Sequence, residues 1–167
     1  MRDRTGPSGA KMKNFLELVK GCLGNVKEIM PWDLAERLED NPELLIVDVR
    51  EPEEFAAMHI ADSISVPRGI LESACEWDYE ETVPELVQAR EREVVVVCRS
   101  GYRSVLAANS MLLLGYQEVA SLQTGLRGWK DYEQPLVNAE GAEVDLEDAD
   151  RYFTPRLRRE QMRPKVA

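Results

Sequence analysis

The residues best suited to chemistry lie together in Cys98-Arg-Ser-Gly-Tyr-Arg-Ser104. A cysteine sulfur is a strong nucleophile once it is held as a thiolate. Arg99 and Arg103 place two permanent positive charges within five positions of it. Gly101 lets the backbone curl where a side chain would clash. A cysteine that merely ends a buried strand is the alternative, since free cysteines are often buried. A purely structural cysteine has no use for two arginines and a glycine in the next five positions, so the sequence predicts a reactive Cys98 with Arg99, Ser100, Gly101, Tyr102, Arg103 and Ser104 around a bound anion.

The flanking residues explain how such a loop is held. Val94 to Val97 are four consecutive valines, which read as a strand buried on both faces. The Ala/Leu-rich run from Val105 to Leu114, stopped by Gly115, reads as a helix. Cys98 therefore falls at a strand-to-helix turn. The free backbone N–H groups and the positive dipole end of a helix meet there and stabilise an anion.

The other elements repeat this alternation. Strands are expected at Val26 to Met30, Leu44 to Asp48, Ile64 to Val66 and Glu118 to Leu122. Helices are expected at Pro31 to Glu39, Glu51 to Met58, Pro84 to Arg90 and from Gly125. Short buried strands alternating with helices predict an α/β fold, a parallel sheet covered on both faces with ligands beyond the carboxyl ends of the strands. Cys98 lies at such an end.

Composition narrows the function further. A chain of 167 residues with 44% hydrophobic residues suits one soluble domain. A net charge of −10 argues against nucleic-acid and anionic-membrane partners and makes the local arginines more telling. Cys22, Cys75 and Cys98 form no paired framework or metal-ligand spacing, and with His59 the only histidine, no metal site is expected. No secretory signal or membrane span is visible, so a reducing cytoplasm is the expected compartment.

Three regions are assigned. Residues 1–25 form an N-terminal extension, polar to about residue 10 and then amphipathic, with Phe15, Leu16, Val19 and Leu23 on one face. Residues 26–136 form the α/β domain. Residues 137–167 form a charged tail, acidic from Glu140 to Asp150 and then arginine-rich, expected to be solvated or loosely draped, with a partner-docking arm as the alternative. Within the domain, Asp48 closes an apolar strand and must find donors, so Asp48 and Arg50 are expected to brace loops. His59 is expected to pack and fix a connection. Residues 68–81 form an irregular insert in which Arg68, Trp77 and Tyr79 are candidates for a pocket rim. Cys22 is read as structural, and Cys75 receives no role.

Taken together, these residues resemble the rhodanese family of sulfurtransferases, single-domain type, over about Val26 to Pro135. The resemblance rests on Asp48-Val-Arg50 with Glu53, Phe55, His59 and Ile60, on Cys98-Arg-Ser-Gly-Tyr-Arg103, and on Gly125-Leu-Arg-Gly-Trp129. It implies a five-stranded parallel sheet and Cys98 as the persulfide-carrying nucleophile. Asp48, Arg50, Gly125, Gly128 and Trp129 would be structural. No cofactor is implied. Sulfur would pass from thiosulfate or another anionic donor to cyanide, a small thiol or a sulfur-carrier protein. Arg99 and Arg103 would hold the donor's anionic end, and the amides from Arg99 to Ser104 would cradle the persulfide. Two rivals share the features. Cysteine phosphatases and arsenate reductases separate Cys from Arg by five residues, whereas Cys98 and Arg103 are separated by four, a tighter cradle suited to a single sulfur. A non-catalytic interaction module on the same fold commonly lacks the cysteine.

Overall fold

A computed structural model describes Gly6 and residues 9–165. Five strands form one parallel sheet in the order β1-β5-β4-β2-β3: β1 Lys27–Ile29, β2 Leu45–Asp48, β3 Ile64–Ser65, β4 Glu93–Val97 and β5 Glu118–Leu122. Central β4, with its four valines fully buried, pairs with β2 and β5. This is the parallel architecture expected from the alternating pattern, with sequential strands joined by crossovers.

Helices cover both faces. Val94, Val96 and Cys98 share one core with Val19 of α1 (Phe15–Cys22), Leu71 of α4 (Leu71–Ala74), Leu86 of α5 (Pro84–Val87) and Met111 of α6 (Arg103–Leu113). Val95 and Val97 point the other way, as strand alternation requires. They meet Leu34 of α2 (Pro31–Asp40), Leu126 and Trp129 of α7 (Gly125–Asp131), and Ala149 and Phe153 of α8 (Leu146–Phe153). The short α3 (Pro52–Ala57) lies between β2 and β3.

Three regions differ from expectation or extend it. The insert at 68–81 is partly helical, with a 3₁₀ turn at Arg68–Ile70 leading into α4, because Leu71, Ala74 and Cys75 are all drawn into the core. α1 is closed by a capping box in which the Asn14 side chain accepts from the Glu17 N–H and Glu17 returns the bond to the Asn14 N–H. Val19 alone of α1 is buried. The expectation for residues 1–5, 7 and 8 lies outside the described residues.

The C-terminal segment is the largest difference. In place of a loosely draped tail, Val137 pairs with His59 and Glu143 in isolated bridges, and Asp145 caps α8 by accepting from the Glu147 N–H. Ala149 and Phe153 are four apart, share one helical face, and are buried to 2% and 1% exposure. The dominance of charge in this segment hid that apolar pair. Among the described residues, no helix is long and apolar enough to cross a membrane.

Candidate active site

Cys98 follows β4 directly, and α6 begins five residues later at Arg103. The sulfur is buried, 1% exposed, at the base of the connecting loop. The Gly101 N–H points at Sγ at 3.1 Å, and the Ser104 hydroxyl lies 3.3 Å from it. Gly101 has φ +90°, a conformation few side-chain-bearing residues adopt, and a Cβ there would meet the Thr124 backbone nitrogen at 2.9 Å. The glycine thus turns the loop and lets it press against the β5–α7 connection.

That connection is the loop's clamp. The Leu126 N–H donates to the Cys98 carbonyl at 2.8 Å, and the Arg127 N–H to the Arg99 carbonyl at 3.1 Å, so the first turn of α7 grips the backbone of Cys98 and Arg99. Gly125 makes the grip possible: a Cβ on it would stand 2.5 Å from the Arg99 carbonyl group and 2.6 Å from the Cys98 oxygen. Gly128 lets Thr124 pack against the helix, and Trp129 anchors the far end by donating from Nε1 to the Pro135 carbonyl.

Both arginines of the loop have partners that the sequence did not reveal. Arg103 forms a two-pronged ion pair with Glu54 of α3, at 2.8 and 2.9 Å. This pair raises the Arg103 guanidinium's pKa, against the opposing effect of burial. Burial opposes ionisation of Glu54, but bonds from Arg103 and from the Glu51 backbone outweigh it and hold the carboxyl below its ordinary range. Arg99 turns toward the C-terminal segment, donating to the Phe153 carbonyl at 3.0 Å with its guanidinium 5.8 Å over the Phe153 ring. Ser100 and Tyr102 are exposed at the loop's crown, and Tyr102 meets Phe15 of α1 edge-on with ring centroids 5.9 Å apart.

Asp48 and Arg50 form a fully buried pair beneath the site. Arg50 donates from Nε and Nη2 to the Asp48 carboxylate at 2.8–3.2 Å and from Nη2 to the Met58 carbonyl at 2.7 Å. The bonds tie the end of β2 to the end of α3. His59 stacks on Phe55 with centroids 3.8 Å apart, bonds through Nδ1 to the Phe55 carbonyl, and pairs its backbone with Val137. Arg68 bonds Glu72 and Ser110, while Trp77 and Tyr79 stand exposed. Cys75 is buried, and that burial raises its thiol's pKa; Cys22 lies half-buried at the end of α1.

Sequence reasoning missed Ser121. Its hydroxyl lies 2.7 Å from that of Ser104, and both are buried, making a chain from Ser121 through Ser104 to the Cys98 sulfur. The signal was present: a hydroxyl inside an apolar strand must find a partner. Glu54 was hidden beside Glu51, which precedes α3, and Glu53, which is exposed on it, because nothing in the local sequence singles out the one that turns inward. No group of three or more His, Cys, Asp or Glu side chains that could hold a metal occurs among the described residues.

The rhodanese-like domain model matches residues 30–132, which contain the β4–α6 loop, its α7 clamp and the Asp48–Arg50 pair. The chain belongs to the rhodanese-like family. A sulfurtransferase of Allochromatium vinosum is 33% identical over 116 residues, covering 70% of this chain and 99% of that protein. The human single-domain sulfurtransferase TSTD1 superposes with a TM-score of 0.55 at 26% identity, over 64% of this chain and 97% of that one. A Rhodopseudomonas palustris protein of unknown function, a possible tyrosine phosphatase, superposes with a TM-score of 0.68 over 78% of this chain and 98% of that one. At 23% identity it shares the fold alone. The two sulfurtransferases support a sulfurtransferase-type rhodanese for this chain.

Proposed function

We propose that the protein moves sulfane sulfur from thiosulfate, or another anionic persulfide donor, to a thiol or cyanide through a persulfide on Cys98. Cys98 thiolate attacks the outer sulfur of thiosulfate. The bond between the two thiosulfate sulfurs breaks, its electron pair leaves with sulfite, and the transferred sulfur remains on Sγ. An acceptor thiolate or cyanide then attacks that sulfur and returns the electron pair to Cys98. The observation that carries this reading is the setting of Sγ, with the Gly101 amide at 3.1 Å and the Ser104 hydroxyl at 3.3 Å in a loop clamped by α7.

Roles for the remaining residues follow from their positions. The Ser121–Ser104 hydroxyl chain orients a proton toward a thiolate at Cys98. Amides between Arg99 and Ser104, at the start of α6, receive the persulfide. Arg103, fixed by Glu54, holds the donor's anionic end and supplies the positive charge against which sulfite leaves. Asp48, Arg50 and His59 position the β2–α3 and α3–β3 connections and touch no reacting atom. The cytoplasm remains the expected compartment.

The test compares wild type with Cys98→Ser using thiosulfate and cyanide, reading thiocyanate, and using p-nitrophenyl phosphate, reading nitrophenol. Thiocyanate formation abolished by the substitution is expected. Cys98-dependent nitrophenol release without thiocyanate would establish the phosphatase rival, and neither product would leave a non-catalytic module.

A further inference from the structure

α1 precedes the residues matched by the family model, and it packs beside the catalytic loop. Its apolar residues Phe15, Leu16, Val19, Cys22 and Leu23 fall within one broad helical stripe. Val19, at the centre of the stripe, is buried against the domain, whereas Phe15, Leu16 and Leu23 remain exposed. Met12 and Leu18 are exposed beside them, and the exposed Tyr102 of the loop meets Phe15 edge-on. Large apolar side chains left uncovered together by the described residues mark an interaction surface.

The surface is concave where it meets the loop. Leu16, Val19 and Leu23 form one wall of a cavity of about 310 Å³, and Gly101, Tyr102 and Thr124 form the other. Gly101 is the residue whose N–H points at the Cys98 sulfur at 3.1 Å, so this trough reaches the loop where the loop contacts the sulfur. A second cavity of about 400 Å³ shares Ser100, Tyr102 and Thr124 with the first and is closed by Arg127 and Asp131 of α7. Charge here runs against that of the whole chain. Between residues 9 and 27 stand four lysines, Lys11, Lys13, Lys20 and Lys27, against one acid, Glu17, in a chain of net charge −10. Lys20 lines the first cavity and Arg127 the second, and neither makes an ion pair among the described residues. Asp131 is held by Lys130, which leaves Glu28 as the one acid on the trough without a cation among those residues.

We propose that α1 and the crown of the catalytic loop form a docking groove for an acidic segment of another protein. A large apolar side chain of that segment enters between Leu16, Leu23 and Tyr102, and its carboxylates meet Lys20 and Arg127. The shape selects a polypeptide over an anionic bilayer. A helix that lies on lipid turns the middle of its apolar stripe outward. In α1 the middle of the stripe, at Val19, is docked on the domain, and the residues at its edge line a trough. The bound segment covers Ser100 and Tyr102 and so lies across the loop that carries Cys98. Docking needs no sulfur chemistry and stands whether or not Cys98 carries a persulfide.

Random peptides displayed on phage, selected against the immobilised full-length protein, test this. The enriched sequences are then synthesised and titrated by fluorescence anisotropy. Enrichment of Asp and Glu around one large apolar residue is expected. Lys20→Glu should weaken such a peptide about tenfold, because the reversal removes an attraction and adds a repulsion. Leu16→Ser should weaken it about tenfold as well, the equivalent of roughly two buried methylenes. Thermal unfolding shows whether each variant keeps its fold. Should α1 fray in either, salt reads the same charge on wild type, whose affinity should fall severalfold between about 50 and 500 mM NaCl. No enrichment, a basic consensus, salt-independent binding, or equal binding by wild type and folded variants overturns the groove. Self-association of the chain that Leu16→Ser abolishes, or cosedimentation with phosphatidylserine vesicles that the same substitution abolishes, overturns the acidic segment as its occupant.

Discussion

Gly125→Ala tests whether the α7 clamp sets the position of Cys98. Gly125 has φ +62°, where a side chain costs about 1–2 kcal/mol. The added Cβ would stand 2.5 Å from the Arg99 carbonyl carbon and oxygen and 2.6 Å from the Cys98 oxygen, against backbone that cannot rotate away. Relief requires the loop to move by on the order of 1 Å, at an overpacking cost of about 1–3 kcal/mol. It also stretches the two bonds from the α7 amides. The total is roughly 3–5 kcal/mol, a fall in Tm on the order of 10 °C for a domain of this size. A shift of that size at the reacting atom should lower kcat/KM for thiosulfate about a hundredfold. Gly115→Ala is the control: its φ is +89°, but a Cβ there meets nothing within 4 Å, so only the backbone cost applies and transfer is spared. Thermal unfolding and thiocyanate production measure both. Equal losses of stability in the two variants, or a native rate in Gly125→Ala, would refute the clamp.

Other substitutions address the remaining supports. Arg103→Ala should raise KM for thiosulfate about tenfold with a smaller change in kcat; an unchanged KM would remove Arg103 from the donor site. Ser121→Ala should lower kcat severalfold while costing only about 1 kcal/mol of stability, and a native kcat would show that the hydroxyl chain does not serve the sulfur. Arg50→Ala leaves the Asp48 carboxylate buried without its partner and should destabilise the fold by about 3–5 kcal/mol in denaturant titration, whereas a loss below about 1 kcal/mol would contradict the burial of that pair. The carboxyl of Glu54 titrates below its ordinary value of 4.5 in the folded chain. The stabilisation from its pair with Arg103 is therefore complete above that pH and lost as the pH falls through the lowered value. Glu54→Gln should melt lower than wild type at neutral pH, and the two Tm values should converge in acid; a gap that stays constant would contradict the pairing.

Much of the fold was legible because its central strand is so plain. Four valines in a row admit few readings, and β5 falls at Glu118–Leu122 as periodicity predicts. The position of Cys98 followed from the same elements, since a strand that ends in cysteine and a helix that starts five residues later define a turn. What stayed hidden depends on contacts between distant segments. Arg103 and Glu54 are 49 positions apart, and Arg99 and Phe153 are 54 apart, so neither pairing leaves a local pattern. The segment after Val137 was hard to read for a different reason. Its hydropathy is dominated by exposed charge, yet two residues one helical turn apart fix it to the core. Ser121 was readable in principle, as a buried hydroxyl without a local partner.

Mass spectrometry of the intact protein and its peptides after brief exposure to thiosulfate bears most directly on the chemistry. One additional sulfur atom is expected, confined to the peptide containing Cys98, absent from Cys98→Ser, and removed by cyanide with release of an equal amount of thiocyanate. No added sulfur, or sulfur distributed over Cys22 and Cys75 and retained in the Cys98→Ser protein, would contradict a persulfide carried in the β4–α6 loop.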